Sequence, residues 1–253
     1  MTLLCVDIGN TSTTFGLFPV RQGLLPPRPV KRFAIPTARY NFASLKKSLG
    51  KHWPDAVIVS SVVPKATDKL KKDCVRYFGI KPQILGRDTI VPIKNSYRRP
   101  EQVGQDRLVN AFAGVLIYGA PLIVIDFGTA VTFDCISRKR EYLGGMILPG
   151  LGISLDALHR RTALLPSVKL APPRELIGKE TTTSILSGVI YGMAALTDDL
   201  SDRIKKEIGA SAKVIGTGGN INLISRYSRS LDAVDPDLTL KGLYLIHTSC
   251  GRD

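Results

Sequence analysis

Cysteine and histidine are both scarce in this 253-residue chain, and neither is clustered. Its four cysteines, Cys5, Cys74, Cys135 and Cys250, show no Cys-x-x-Cys spacing. That argues against a zinc site and a disulfide framework, and points to reduced thiols in a cytosol. His52, His159 and His247 are equally dispersed, with no carboxylate or cysteine at ligand spacing, and read as surface or satisfied core side chains. The N-terminus lacks a basic region followed by a long apolar run and a small-residue cleavage site, so no secretory signal is expected there. The uncharged stretch from Leu108 to Ile125 is interrupted by Asn110, Gly114, Gly119 and Pro121. A helix ending near Tyr118, a Gly119-Ala120-Pro121 turn and a buried strand explain it better than a bilayer crossing.

Acidic residues are also in the minority, with 21 Asp and Glu against 35 Lys and Arg, a formal net charge of +14. Such an excess would favour an anionic partner, either a polyphosphate substrate or nucleic acid. The basic residues are spread over short groups such as Lys46-Lys47, Lys71-Lys72, Arg98-Arg99 and Arg160-Arg161. No long basic tract, zinc-finger spacing or RNA-binding aromatic motif emerges, so solvated faces are the expectation rather than a nucleic-acid surface. A hydrophobic content of 44% is ample for a buried core.

What the sequence does contain is a doubled element. Val6-Asp7-Ile8-Gly9-Asn10-Thr11 returns as Ile125-Asp126-Phe127-Gly128-Thr129-Ala130, each copy closing one apolar run and opening another. Around the first copy, apolar patterning predicts strands at 3–8, 13–18 and 30–35, a helix at 42–49, a strand at 56–63, a helix at 65–78 and a strand at 83–85. An irregular polar segment at 90–99 and a helix at 105–118 follow. The second half reads as strands at 122–125, 131–136 and 142–148, helices at 154–160 and 183–208 and a strand at 213–216. It closes with helix 221–227, strand 231–234 and helix 238–245. Three strands followed by strand–helix alternation, done twice, predict an α/β protein of two like domains, 1–118 and 119–253. A cleft between such halves would suit phosphate and a metal ion.

Consecutive backbone N–H groups in a glycine turn hold phosphate oxygens well. Gly9-Asn10-Thr11 supplies such a turn, or else a plain Asp-Gly hairpin, and Asp7 at its edge could hold magnesium through water. Gly128-Thr129-Ala130 beside Asp126 offers a second cradle. Gly216-Thr217-Gly218-Gly219-Asn220 is a third, able to meet a flat ring or a phosphate, or to serve as a loop only. Phosphoryl transfer also needs a positioned carboxylate to deprotonate the acceptor. The run Pro100-Glu101-Gln102-Val103-Gly104-Gln105-Asp106-Arg107 provides a candidate at a loop-to-helix junction, with a helix N-terminus bearing favourable acids as the alternative. Arg107 is a plausible clamp for a carboxylate or phosphate.

In combination these segments resemble type III pantothenate kinases, in the superfamily of acetate and sugar kinases, heat-shock chaperone ATPases and actin. The resemblance covers almost the whole chain. It rests on Asp7-Ile8-Gly9-Asn10-Thr11, Gly104-Gln105-Asp106-Arg107, Asp126-Phe127-Gly128-Thr129-Ala130, Gly144-Gly145 with Pro149-Gly150, and Gly216-Thr217-Gly218-Gly219. It implies two similar actin-like (ribonuclease H-like) domains with a nucleotide cleft between them. The implied reaction is ATP-dependent phosphorylation of pantothenate to 4'-phosphopantothenate, the first step of coenzyme A biosynthesis, in the cytoplasm and without a membrane partner.

By the same resemblance, Asp7, Ile8, Gly9, Asn10, Thr11, Ser12, Thr13 and Thr14 would form the first ATP phosphate loop, and Thr129 a second ATP contact. Asp106 would be the general base for the pantothenate hydroxyl. Tyr97, Gly104, Gln105, Asp106 and Arg107 would line the pantothenate pocket. Asp126 would bind a monovalent cation, K+ or NH4+, alongside the Mg2+ that accompanies ATP. Thr181 looks like the substrate-contacting threonine that the family supplies across a homodimer interface. The family commonly has Asn-Thr there, whereas this chain runs Lys179-Glu180-Thr181-Thr182-Thr183. Two other readings stay open: a nucleic-acid-binding or transcription accessory factor of the same family, which would not need all three carboxylates, and a kinase for another small alcohol.

Overall fold

The computed structural model describes residues 1–21 and 25–250, the side chain of Cys250 excepted. In the first half β1 (Thr2–Ile8), β2 (Ser12–Pro19) and β3 (Lys31–Pro36) form an antiparallel meander. It is followed by α1 (Phe42–Leu49), β4 (Ala56–Ser61), α2 (Pro64–Asp73), β5 (Gln83–Ile84), β6 (Lys94–Asn95) and α3 (Gln105–Tyr118). The second half contains β7 (Leu122–Phe127), β8 (Ala130–Ile136), β9 (Glu141–Pro149), α4 (Leu151–Arg161) and α5 (Thr181–Ile208). It ends with β10 (Lys213–Thr217), α6 (Ile221–Ile224), β11 (Ala233–Val234) and α7 (Leu238–Cys250).

The two sheets have the same plan. The first runs β3-β2-β1-β4-β5 and the second β11-β10-β7-β8-β9-β6. In each, the strand carrying the Asp-x-Gly pairs antiparallel with its successor and parallel with a strand that arrives later, β4 beside β1 and β10 beside β7. Only β6 has no counterpart. The chain forms two compact units, one of residues 1–93, 98–117 and 238–253, the other of 94–97 and 118–237. α7 therefore belongs with the first sheet, and β6 with the second.

Within the first unit, alternation along the strands sorts the side chains. Leu4, Val6 and Ile8 share a core with Phe15, Leu17, Val57 and Val59 and with Leu45, Leu49, Leu70 and Cys74 of the α1–α2 side. Each such fully buried aliphatic side chain contributes about 1.5–3 kcal/mol. Asn41 caps α1 by accepting the Ser44 N–H at 2.9 Å. The opposite face, with Leu3, Cys5 and Phe18, meets α7: the Phe18 and Tyr244 rings are 5.5 Å apart, and a Cβ on Gly16 would stand 3.0 Å from Leu240 Cδ1. α7 also touches α3, since a Cβ on Gly242 would stand 2.5 Å from Val109 Cγ1. In the second unit Ile123, Ile125, Phe127, Val131 and Phe133 pack against Ile190, Met193 and Ile204 of α5 and Ile221 and Ile224 of α6.

Several boundaries differ from the sequence expectation for local reasons. Lys94–Asn95, inside the supposedly irregular segment, pairs with Glu141 and Tyr142, and Lys94 Nζ lies 2.6 Å from Glu141 Oε1. α5 starts at Thr181 rather than 183 because Glu180 and Thr183 form a capping box. α6 and β11 are shorter than the expected 221–227 and 231–234. The 108–125 stretch resolves as most of α3, a turn and the body of β7. Among the described residues no helix is long and apolar enough to cross a membrane.

Candidate active site

The first Asp-x-Gly turn is a braced hairpin. The Gly9 N–H donates to the Ser12 carbonyl at 3.0 Å. The Thr37 hydroxyl donates to the Gly9 carbonyl at 2.7 Å and lies 3.0 Å from the Thr13 hydroxyl, while the Thr37 N–H donates to the Thr11 carbonyl at 3.0 Å. Asp7, half-buried, stands in register with Thr14 on β2 and Ser60 on β4. Register partners share a sheet face, so a hydroxyl–carboxylate–hydroxyl row ends the sheet where the parallel strands β1 and β4 stop, the end where α/β proteins bind ligands. A pocket of about 310 Å³ opens at the same end of β4, lined by Ser61, Val62, Pro64, Thr67, Asp68, Ile84 and Arg87. The sequence reading singled out neither the pocket nor Ser60.

Asp106 opens α3. The Gly104 carbonyl accepts from the Arg107 and Leu108 N–H groups at 3.2 and 3.3 Å, and Asp106 Oδ1 accepts from the Arg107 N–H at 2.8 Å. A Cβ on Gly104 would come within 2.4 Å of Asp106 Oδ1, so only glycine leaves the carboxylate where it is. The positive end of the helix dipole favours an anion in this first turn. Gln105 packs its amide against Gly86, whose φ is +76°. One turn further, Asn110 is 1% exposed and accepts from the Thr239 hydroxyl of α7 at 2.7 Å. α7 lies on the sheet face that carries Asp7, so the helix bearing Asp106 and the strand bearing Asp7 are joined within one unit through α7.

The second unit gathers the other glycine segments around Asp126. Gly218 has φ +92°, and a Cβ there would be 2.3 Å from Asp126 Oδ1 and 2.7 Å from the Phe127 nitrogen. The Asn220 N–H donates to the Phe127 carbonyl at 3.1 Å, and the Gly150 N–H to the Thr129 carbonyl at 3.1 Å. A Cβ on Gly150 would stand 2.2 Å from that same oxygen. The Gly128-Thr129 turn, the Gly216–Asn220 loop and the start of α4 thus form one backbone-lined cluster. Asp126 stands between Thr132 and Thr217 in register, repeating the row of the first unit. Among the described residues no three His, Cys, Asp or Glu side chains converge as metal ligands.

Tyr97 also belongs to the second unit. Its ring packs against Gly144, where a Cβ would stand 3.0 Å from two ring carbons and φ is +118°. The Tyr142 ring is 6.5 Å away, and its hydroxyl donates at 2.8 Å to the fully buried Asp134. Thr181 is exposed at the first position of α5 and joins neither cluster.

Two sheets of the same mixed order, each bearing an Asp-x-Gly hairpin, make this an α/β protein of the actin-like fold. A Campylobacter jejuni protein described as a Baf family transcriptional activator is similar, with 21% identity, 98% of each chain covered and a TM-score of 0.61. The ethanolamine utilization protein EutJ of Carboxydothermus hydrogenoformans is 14% identical over 97% of this chain and 90% of that one, with a TM-score of 0.54. Component A of (R)-2-hydroxyglutaryl-CoA dehydratase from Acidaminococcus fermentans is 12% identical over 97% and 96%, with a TM-score of 0.52. Identities this low speak for the fold. The family model described as type III pantothenate kinase matches residues 3–203, and the chain belongs to that family.

Proposed function

We propose that this chain transfers the γ-phosphoryl group of ATP to the primary hydroxyl of pantothenate, giving 4'-phosphopantothenate and ADP. The observation that carries the reading is Asp106, held by Gly104 at the opening of α3 and joined through Asn110, Thr239 and α7 to the unit that bears the Asp7 turn. Asp106 accepts the hydroxyl proton as the oxygen attacks phosphorus, and later returns it to solvent. Arg107 pairs its planar fork with the pantothenate carboxylate. Backbone N–H groups of the loop from Asp7 to Thr14 hold phosphate oxygens, and the Thr129 hydroxyl donates to the nucleotide.

The donor sets fit the ions this chemistry uses. Asp7 with Thr14 is an all-oxygen pair suited to a largely hydrated magnesium ion, and Asp126 against the Gly218 backbone suits a weakly hydrated K+ or NH4+. Bound magnesium neutralises charge on the phosphates. Tyr97, packed against Gly144, lines the pantothenate pocket, and Thr181 of a second copy completes it in a cytoplasmic homodimer. The test is phosphopantothenate formation by purified protein with Mg2+ and with or without K+, set against other small alcohols. Phosphorylation of another alcohol in preference to pantothenate overturns the substrate.

A further inference from the structure

One buried carboxylate has no part in the proposed transfer. Asp134, on β8, is 0% exposed. Taking a carboxylate out of water is costly unless donors meet it, and an apolar residue would fill the position at less cost. Here each oxygen is met by a hydroxyl: that of Tyr142 donates to Oδ1 at 2.8 Å, and that of Thr132 to Oδ2 at 3.2 Å. Tyr142 is itself fully buried, so Asp134 is held in one orientation.

Its effect falls on Thr132. A hydroxyl has one hydrogen and two lone pairs, and with the hydrogen committed to Asp134 the Thr132 oxygen can only accept from, or ligate, whatever else approaches. Thr132 is the antiparallel register partner of Asp126 and shares its sheet face, where opposed Cβ atoms stand about 4.5–5.5 Å apart. A carboxylate and a hydroxyl oxygen with no hydrogen to offer it repel at that range unless a cation lies between them. Asp126 and Thr132 are both half-buried, so an ion can reach them, whereas Thr217, on the other flank of Asp126, is 1% exposed. Beyond Thr132, its register partner Ile147 on β9 is 67% exposed and leaves that side open. The first unit lacks this arrangement. Thr14 pairs with Asp7 as Thr132 pairs with Asp126, but two residues on, where β8 has Asp134, β2 has Gly16 against Leu240 of α7. The duplicated framework therefore carries the orienting carboxylate only beside the aspartate read as the monovalent-cation site.

We propose that the Thr132 hydroxyl oxygen is a second ligand of the monovalent cation at Asp126, and that Asp134 is the positioning residue that keeps its lone pairs available to the ion. An ion that sheds its water needs protein oxygens fixed in advance, and outer partners do the fixing. This rests on the reading of Asp126 as the cation site.

The test uses Tl+ as a stand-in for K+, titrated into the full-length protein with ADP and Mg2+ and followed by thallium nuclear magnetic resonance. Thr132→Val is expected to weaken Tl+ binding about 10–100-fold and to leave Mg2+–ADP affinity without Tl+ unchanged. Thr132→Ser, which keeps a hydroxyl, should hold most of the Tl+ affinity. Asp134→Ala, which frees the Thr132 hydrogen to turn toward Asp126, should weaken Tl+ by a similar factor. The double variant should lose no more than either single one, because the two residues act through one oxygen. Wild-type Tl+ affinity in Thr132→Val, with binding lost in Asp126→Asn, overturns the ligand assignment alone, and wild-type affinity in Asp134→Ala overturns the positioning role. No Tl+ binding to the wild type, or wild-type affinity in both Thr132→Val and Asp126→Asn, overturns the cation reading of Asp126 itself. Equal losses in Thr132→Ser and Thr132→Val, or losses that add in the double variant, show packing at work and also overturn the proposal, as does failure of either single variant, Thr132→Val or Asp134→Ala, to fold.

Discussion

Replacing Gly218 by alanine tests the second unit's cluster most directly. The residue has φ +92°, and its new Cβ would stand 2.3 Å from Asp126 Oδ1, 2.7 Å from the Phe127 nitrogen and 2.8 Å from the Phe127 carbonyl carbon. The carboxylate can swing aside, whereas the Phe127 backbone is the last residue of a central strand and cannot. Holding a side chain at such a φ costs about 1–3 kcal/mol, and overpacking against fixed atoms about 1–3 kcal/mol more. Together these imply a loss of about 2–6 kcal/mol, or a melting temperature lowered by about 4–24 °C in a chain of this size. Because the movable neighbour is Asp126, the surviving protein should also lose activation by K+ or NH4+. Calorimetry and a coupled ADP-release assay over a K+ series measure the two effects. Gly188→Ala is the control: no atom lies within 4 Å of its would-be Cβ, and an exposed helix position should gain about 1 kcal/mol. If Gly218→Ala melts with the wild type, the close approach is wrong. If it melts lower yet keeps its cation response, Asp126 is not the cation site.

Asp106→Asn should keep the circular dichroism and melting behaviour of the wild type while losing about 100-fold or more in turnover, the usual worth of a general base; full activity sinks the assignment. Gly144→Ala pushes on the Tyr97 ring and should raise the KM for pantothenate with that for ATP little changed, as steady-state kinetics over both substrates will report. Asp198, inside α5, accepts from the Ser228 hydroxyl at 2.7 Å and from the Arg229 and Ser230 N–H groups at 2.9 and 3.0 Å. Burial pushes its carboxyl up, but those donors outweigh it and leave it below the usual carboxylate range. The folded state therefore favours the ionised form. Its contribution is complete above about pH 4 and is lost as pH falls through the depressed folded value. Asp198→Ala should cost about 1–3 kcal/mol at neutral pH and flatten the acid limb of stability, measured by urea unfolding across pH.

The order of elements was legible because each strand and helix carries its own period. β1 reads as a strand from its apolar run, and Asn41 and Gly50 stand at the ends of α1, whereas the capping box of Glu180 with Thr183 set the start of α5 two residues earlier than its apolar period showed. The two aspartate turns were legible because they repeat. What was not legible depends on non-local pairing. Nothing in Leu238–Cys250 says that it returns to the first sheet, since an apolar helix fits either core. Lys94–Asn95 is too short to show a strand period, and its pairing rests on Glu141 and Tyr142, far along the chain. Gly150 and Gly218 read as loop residues until their backbones are seen against Thr129 and Asp126. Ser60 left a trace, a serine in a run of valine and isoleucine, but its place beside Asp7 comes from strand pairing.

The two halves therefore differ less in plan than in what closes around the carboxylate. Both place an aspartate next to last on a central strand with hydroxyl residues on either side, Thr14 and Ser60 in one, Thr132 and Thr217 in the other. At Asp7 the turn beyond is braced from the side by Thr37. At Asp126 one glycine of a later loop, Gly218, closes directly on the carboxylate, and no Cβ fits between them. An ion that keeps its water needs room and hydroxyl acceptors, whereas one that sheds water readily can be met by carboxylate and backbone oxygen at close range. On the proposed reading, the same duplicated framework serves two different ions because different strands and loops are brought beside the same residue. It also predicts asymmetry: Asp7→Asn should abolish the Mg2+ requirement's benefit to nucleotide binding, whereas Asp126→Asn should leave that benefit intact and remove the K+ response. Equal effects of the two variants on both ions, in nucleotide titrations with each cation varied alone, would refute the division.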